Sequence, residues 1–232
     1  MMFVNDNSCS FNIIYKFNNN IALKDTSVKD VRKTLSMNLV EHIKQIGKTF
    51  DIVSPIPNTG KFYTKEIARR LEVKEVPLIE KDKQLRTLCY DTEERVQYYE
   101  GNLKLRQSQV EEYRDANILF VDEALISGIT LQAIAKKCLM NGITNFSFAF
   151  ISPINFLYCP FGYIAQKEHM FALNKVAKEG FHKVYDEYKT KLKANDLIFM
   201  PYKLFKKAVG NEYVCSLCFH EICIDNEILN NE

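Results

Sequence analysis

The sequence predicts an α/β fold in which a mostly parallel sheet is flanked by helices. Apolar runs of strand length, such as "FDIVSP" and "ANILFVD", alternate with segments of helical periodicity. In addition, "ANILFVD", "TLQAIAKKCLMNG" and "TNFSFAFIS" form a strand, a helix and a strand in succession, which is the unit that joins parallel strands. With 232 residues and 47% hydrophobic content, the chain is long enough to bury a substantial core.

The first helix is predicted from Thr26 to Ile46, where apolar residues recur at helical spacing. Thr26 or Ser27 can cap its start, and Gly47 can end it. "FDIVSP" then predicts a short buried strand, "PIPNTG" a turn, "KFYTKEIARRLEV" a second helix and "EVPLI" another short strand. The segment from Lys81 to Arg114 is rich in charge and poor in periodicity, which favours a long flexible loop or hood.

The second half of the chain contains the strongest strand, "ANILFVD", and a helix that ends at "NG". After Pro160 the pattern is helical to about Lys193, and "MPYKLFKKAVG" predicts a last short helix with Pro201 near its start. We expect a single domain over residues 1–232, with a core at about 26–166 and a helical, cysteine-bearing segment at about 167–232.

Composition limits the classes of partner. The net charge is +2 and no basic stripe is present, so we expect neither nucleic acid nor an anionic membrane as a partner. The longest uncharged stretch, Gly142 to Gln166, is interrupted by Pro153 and Pro160 and does not predict a membrane span. The N-terminus lacks a secretory pattern, so we expect a cytoplasmic location and cysteines that are free, catalytic or metal-bound.

The most informative motif is "ILFVDEALISGIT", residues 118–130. Because ligands bind beyond the carboxyl ends of parallel strands, Asp122 and Glu123 are placed at a binding edge. The next helix starts near Thr130, where unpaired N–H groups favour an anion, and Gly128 allows close backbone approach. An acidic pair beside a phosphate-binding loop suits a sugar phosphate, although the same residues could merely end a strand and cap a helix.

This motif resembles the thirteen-residue signature of the type I phosphoribosyltransferases, which bind 5-phosphoribosyl-1-pyrophosphate (PRPP). The chain from about Cys9 to Cys218 is similar to the transferase domain of glutamine amidophosphoribosyltransferase, an enzyme of purine biosynthesis. The matching segments are "DIVSPIPNTG", "LRTL" at 85–88, "LKL" at 103–105 and "SPINFLYCPFG". The resemblance implies the type I fold, transfer of the phosphoribosyl group with release of pyrophosphate, and a homo-oligomer.

The resemblance also implies a role for each matching residue. Asp122 and Glu123 would hold the ribose hydroxyls directly or through Mg²⁺, and Arg86 and Lys104 would be catalytic, closing over the departing pyrophosphate. Thr59 would face the pyrophosphate and its Mg²⁺. The remaining PRPP-binding positions are Asn58 and Gly60 beside Thr59, and Ala124, Leu125, Ile126, Ser127, Gly128, Ile129 and Thr130, which would surround the 5-phosphate.

Cysteine spacing adds a candidate metal centre. "VCSLC" contains Cys215 and Cys218 in a C-x-x-C pattern that suits zinc or iron–sulfur ligation. The resemblance implies Cys9 and Cys159 as the other two ligands of a structural [4Fe-4S] cluster. Zinc is the alternative, because four thiolates suit either metal.

Several segments depart from the family's pattern. Only eight residues precede Cys9, so we expect no glutaminase domain in this chain. "NNNI" at 18–21, "KDK" at 81–83 and Asn58 also differ from the usual residues. The acceptor is therefore open: ammonia, or another small nucleophile such as a specialised amine or hydroxyl. Two alternatives remain, namely a PRPP-binding regulatory module without catalysis and a transferase subunit that pairs with a separate glutaminase.

Overall fold

The computed structural model of the protein describes residues 9–23, 26–57, 60–82, 92–155, 181–210 and 215–219. The helices are α1 (Val28–Gln45), α2 (Lys61–Leu71), α3 (Thr92–Asn102), α4 (Gln107–Tyr113), α5 (Ile129–Met140), α6 (Phe181–Leu192) and α7 (Tyr202–Val209), with a π-helical turn at Asn12–Lys16 and a 3₁₀ turn at Leu217–Phe219. The strands are β1 (Ala22–Leu23), β2 (Thr26–Ser27), β3 (Ile52–Pro55), β4 (Lys74–Glu75), β5 (Ile79–Lys81), β6 (Leu103–Leu105), β7 (Ile118–Asp122), β8 (Phe146–Phe150) and β9 (Leu197–Phe199).

The main sheet has five strands in the order β4-β3-β7-β8-β9, and every pairing in it is parallel. Strand β7 lies in the middle, where its residues pair with β3 on one side and β8 on the other. The prediction of a mostly parallel sheet flanked by helices is therefore confirmed.

Apart from the exposed edge strand β4, the strands of this sheet are buried on both faces, which explains why they are mostly apolar without alternation. Leu119 and Val121 of β7 face a core that includes residues of α1, α2 and α7. Ile118 and Phe120 face the opposite core, which includes residues of α4, α5 and α6. Because successive side chains of a strand point to opposite faces, one five-residue strand contributes to both cores.

The predicted helix boundaries follow from capping residues. Ser27 is the N-cap of α1, and its hydroxyl accepts a hydrogen bond from the Asp30 N–H at 3.1 Å. Gly47 has a φ of +67° just after α1. After α5, Gly142 has a φ of +78°. These positions correspond to the start and stop signals in the sequence.

The hood is more ordered in secondary structure than the sequence predicted. The segment 81–114 was expected to be one long loop, but α3, β6 and α4 occupy most of it, and 83–91 lies outside the described residues. Strands β5 and β6 pair antiparallel apart from the main sheet. "EVPLI" is also only partly a strand, because β4 ends at Glu75 and β5 begins at Ile79.

Two further elements were not predicted. The apolar "FNIIY" stretch after Cys9 forms a helical turn, and its Phe11, Ile13 and Ile14 are buried. The three-residue strand β9 was not predicted, although it forms one edge of the main sheet. Helices α6 and α7 confirm the helical prediction for the described part of the C-terminal segment, with Pro201 as the N-cap of α7. In the described ranges, no helix combines the length and apolarity that crossing a membrane requires.

Candidate functional site

The acidic pair lies at the carboxyl end of β7, as predicted. Asp122 is the last residue of the strand and is half-buried, and one of its carboxylate oxygens accepts a hydrogen bond from the Glu123 N–H at 3.0 Å. Burial raises the pKa of Asp122 above its ordinary value. This carboxylate is partly open and belongs to the strand that lies in the middle of the sheet.

Glu123 differs sharply from its neighbour because it is only 3% exposed. Burial, and then the charge of Asp122, raise the pKa of Glu123 well above its usual range. Its Oε1 atom is buried and has no hydrogen-bond partner among the described residues. The expectation that both acids hold ribose hydroxyls therefore fits Asp122 better than the enclosed Glu123.

Two residues that the sequence analysis did not identify lie close enough to influence Glu123. The guanidinium of Arg32 in α1 offsets part of the rise in the pKa of Glu123. Burial raises the pKa of Tyr63 in α2, and the charge of Glu123 adds to that rise. Arg32 donates hydrogen bonds to the backbone oxygens of Ile13 and Phe17, at 3.0 and 2.9 Å, and to the Asn19 side chain at 2.9 Å.

The Tyr63 hydroxyl binds the same N-terminal segment through the backbone oxygen of Ile14, at 2.7 Å. Arg32 and Tyr63 therefore attach the N-terminal segment, which includes Asn19, to helices α1 and α2. The sequence did hold one signal for Arg32, since it occupies a core-facing position of α1, four residues after Val28.

The loop after Glu123 ends at the start of α5. Gly128 is the N-cap of that helix and has a φ of +71°, a left-handed conformation that favours glycine. A Cβ atom at this position would lie 1.3 Å from the hydroxyl oxygen of Tyr188. Tyr188 belongs to α6, and its hydroxyl donates a hydrogen bond to the backbone oxygen of Ser127 at 3.1 Å.

The second predicted loop lies directly beside the first, because β3 and β7 are neighbours. The Ile56 N–H donates to the Val121 backbone oxygen at 3.0 Å, which holds the start of this loop against β7. A Cβ atom on Gly60 would lie 2.5 Å from the same Val121 oxygen, so only glycine permits this approach. Asn58 and Thr59 lie outside the described residues.

The hood contributes one described candidate. Lys104 in β6 is 56% exposed and forms an ion pair with Asp82, with 2.5 Å between Nζ and Oδ2. That hydrogen bond raises the pKa of Lys104, so its ammonium group is positively charged at neutral pH. Arg86, the other catalytic candidate, lies outside the described residues.

The structure describes three of the four predicted cysteine ligands, namely Cys9, Cys215 and Cys218. Cys9 and Cys215 face each other in an isolated parallel bridge, and the Ser10 N–H donates to the Cys215 backbone oxygen at 3.0 Å. Cys9 and Cys218 are buried, and Cys159 lies outside the described residues. Within the described ranges no three metal-binding side chains are placed to share an ion, so this geometry does not support the four-cysteine cluster.

No protein-family model matches the chain, and no curated protein matches it. Two solved structures are similar over most of its length. One is the glutamine PRPP amidotransferase from B. subtilis in complex with ADP and GMP, with a TM-score of 0.68 and 20% identity over 94% of this chain. The other is described as the allosteric regulatory enzyme of purine biosynthesis, with a TM-score of 0.68 and 19% identity over 94% of this chain.

The chain spans about half the length of these two structures, 46% of the first and 45% of the second. At this level of identity the likeness concerns the arrangement of the backbone. Together with the parallel sheet and the two loops beyond β3 and β7, it confirms the fold that the sequence motif implied: this chain has the type I phosphoribosyltransferase fold.

Proposed function

We propose that the protein is a PRPP-dependent phosphoribosyltransferase that moves the 5-phosphoribosyl group to ammonia or another small nucleophile. The observation that carries this proposal is the pair of loops beyond β7 and β3. One joins the carboxylate of Asp122 to the glycine-capped start of α5. The other is held against β7 by the hydrogen bond from the Ile56 N–H, and Gly60 permits its close approach. Neighbouring sites of this kind suit the two ends of one ligand.

The ribose-phosphate end consists of a carboxylate and a helix start. Asp122 can accept hydrogen bonds from ribose hydroxyls, and the first N–H groups of α5 can bind an anion, as those of helix starts do in general. Ser127 and Thr130 add hydroxyl groups beside them. Ribose 5-phosphate has a phosphate monoester at one end and vicinal hydroxyls on its ring, so it suits both parts.

In the proposed reaction, the acceptor's lone pair forms a bond to C1 of the ribose while the bond from C1 to the pyrophosphate oxygen breaks. The pyrophosphate leaves with that electron pair, and the acceptor then releases a proton. Lys104 would place positive charge where negative charge develops on the leaving group. Its present ion pair with Asp82 is exposed, so exchanging Asp82 for a phosphate oxygen costs little.

Magnesium fits this site in part. A carboxylate oxygen of Asp122 is a ligand type that Mg²⁺ prefers, and the ion would neutralise charge on the pyrophosphate. The proposed ligands are Thr59, Asp122 and Glu123, of which Glu123 is enclosed and Thr59 lies outside the described residues.

We retain the cysteine cluster only as a structural proposal. The adjacency of Cys9 and Cys215 supports a site that ties the two segments together. No step of the reaction depends on it. Elemental analysis of anaerobically purified protein tests it directly: about four iron atoms per chain fit the cluster, zinc without iron fits the alternative, and neither metal removes the proposal.

The decisive experiment is to incubate the protein with PRPP, Mg²⁺ and a panel of small amines, and to measure pyrophosphate. We expect release with ammonium or another amine, and loss of the signal in Asp122→Asn. A matched control is Asp51→Asn, since Asp51 lies at the opposite end of the sheet and accepts a hydrogen bond from the Asn117 N–H. PRPP binding without release for any acceptor would indicate a regulatory module, and no PRPP binding would refute the proposal.

Glutamine belongs in the same panel. We expect it to give no pyrophosphate above background and no glutamate. The proposed site binds PRPP, and none of its described residues is placed to hydrolyse glutamine. If a separate glutaminase chain is the natural partner, adding that chain would restore the use of glutamine. Steady glutamate formation by the pure protein would contradict this part of the proposal.

A further inference from the structure

Tyr188 of α6 reaches the loop that is proposed to bind the 5-phosphate, although it lies 61 residues away from Ser127 in the sequence. Tyr188 is 1% exposed, and its hydroxyl oxygen is so close to Gly128 that a Cβ atom there would overlap it. Burial raises the pKa of Tyr188, so the hydroxyl keeps its proton and acts as a donor. A buried donor of this kind constrains the backbone group that it contacts.

The hydrogen bond from Tyr188 to the Ser127 carbonyl also sets the direction of the next N–H group. The Ser127 carbonyl and the Gly128 N–H belong to one planar peptide group, and in a trans peptide they point in opposite directions. Because Tyr188 takes the carbonyl oxygen, the Gly128 N–H is turned away from Tyr188. This N–H lies at the start of α5, where orphan amide groups favour an anion.

Helix α6 carries a second tyrosine, Tyr185, three residues before Tyr188 and therefore on the same side of the helix. One turn earlier, the Tyr185 hydroxyl accepts a hydrogen bond from the Leu197 N–H at 3.3 Å and lies 3.4 Å from Asp196 Oδ1. Asp196 also forms an ion pair with Lys48, with 2.7 Å between Nζ and Oδ2. Tyr185 thus attaches α6 to the start of β9, at a different place from the loop that Tyr188 contacts, so it serves as the matched control.

We propose that Tyr188 is a positioning residue for the 5-phosphate: it orients the Ser127–Gly128 peptide so that the Gly128 N–H is presented to the phosphate. This inference rests on the proposed function and names a contribution of the C-terminal helix to it. Tyr188 touches the loop and not the ligand, so its effect is confined to ligands that carry the 5-phosphate.

The test compares Tyr188→Phe with Tyr185→Phe, which removes a hydroxyl from the same helix without touching the loop. Binding of ribose 5-phosphate, PRPP and pyrophosphate is measured by calorimetry. We expect Tyr188→Phe to weaken ribose 5-phosphate and PRPP by about threefold to tenfold, the range for one neutral hydrogen bond, and to leave pyrophosphate unchanged. Tyr185→Phe should change none of the three, and KM for PRPP should rise in Tyr188→Phe while kcat stays the same.

Equal ribose 5-phosphate affinity in the two variants would overturn the proposal, and so would an equal loss for pyrophosphate, which would indicate general damage to the fold. Amide hydrogen exchange in the unsubstituted protein gives an answer even if Tyr188→Phe does not fold. There, ribose 5-phosphate should slow exchange at the Gly128 N–H and pyrophosphate should not, while equal exchange with both ligands refutes the role. Failure of the unsubstituted protein to bind any of the three ligands refutes the proposed function itself.

Discussion

The two ends of the proposed ligand site are built in different ways. At the sugar-phosphate end, Asp122 follows four β7 residues that have no exposed surface, and Gly128 is held against the buried Tyr188. At the hood end, Lys104 and Arg106 are 56% and 43% exposed and take part in surface ion pairs. Exposed pairs of this type contribute little to stability. Packing therefore fixes the end that would bind the sugar phosphate, while weak surface interactions hold the end that would close over the pyrophosphate.

The largest effect on stability is expected from Gly128→Ala at the packed end. The new Cβ combines a left-handed φ with overlap of the Tyr188 hydroxyl, which should lower the free energy of unfolding by roughly 2–4 kcal/mol. Displacement of the loop should also weaken PRPP binding at least about a hundredfold. Chemical denaturation and calorimetry measure the two effects.

Gly101→Ala is the matched control for this prediction. Gly101 lies in the last turn of α3, and nothing would contact a Cβ atom there within 4 Å. The substitution should leave stability unchanged or raise it by about 0.5–1 kcal/mol, because alanine favours helices. Similar stability and PRPP affinity in the two alanine variants would mean that Gly128 is not packed tightly against Tyr188.

A smaller effect, and one that depends on pH, is expected from Glu123→Gln. Because burial raises the pKa of Glu123 in the folded protein, the folded state retains a proton that the unfolded chain releases above about pH 4.5. The unsubstituted protein should therefore lose stability as the pH rises above that value. Glutamine cannot ionise, so the variant should be more stable at pH 7, and its stability should not fall as the pH rises. Urea denaturation between pH 4.5 and 8, with a chelator present, measures the difference.

Glu66→Gln is the control with the opposite sign. Hydrogen bonds from Arg69 and then Arg70 lower the pKa of Glu66 to about 2. Its contribution to stability is present above about pH 4.5 and is lost as the pH falls toward 2. Glu66→Gln should thus lower stability slightly at pH 7 and have no effect at pH 2. If both glutamine variants changed stability in the same direction at pH 7, Glu123 would not be an enclosed acid.

The smallest effect on stability is expected from Lys104→Ala in the hood. The loss of its exposed ion pair with Asp82 should shift the melting temperature by less than about 2 °C. Turnover should nevertheless fall about a hundredfold, because the charge near the leaving group is lost. Lys136→Ala removes an ion pair of equal length and similar exposure, with Glu100, and should leave turnover unchanged. A large loss of stability in Lys104→Ala would show that the hood is held as firmly as β7.

The central elements could be predicted because local sequence determines them. Strand β7 and helix α5 carry their own apolar pattern and end signals, and the motif between them placed Asp122 and Gly128 correctly at the sheet edge. The three-residue strand β9 could not be predicted, because so short an apolar run is ambiguous until a neighbouring strand pairs with it. Helix α3 was not predicted for a related reason. Its sequence is mostly polar and lacks a clear apolar pattern, and its packing against α5 stabilises it in the folded protein.

The parts of the site that were missed depend on contacts between distant residues. Nothing in "FHKVYDEYKTKL" indicates that Tyr188 meets Ser127. Arg32 offered a weak signal, but its role became apparent only when the N-terminal segment was seen to fold over it. The sequence motif also presented Asp122 and Glu123 as equivalent, and only the burial of Glu123 in the folded protein separates them.

The bridge between Cys9 and Cys215 has a consequence for biosynthesis. The Ser10 hydroxyl and N–H both bind the Cys215 backbone oxygen, and Phe11, Ile13 and Ile14 share one core with Phe205 and Phe219. Ser10 and Cys215 are 205 residues apart, so a ribosome makes the first segment of this core long before the second. The nascent chain must therefore keep an apolar segment without its final contacts while the intervening residues are made, and this core is completed only after Phe219 has emerged.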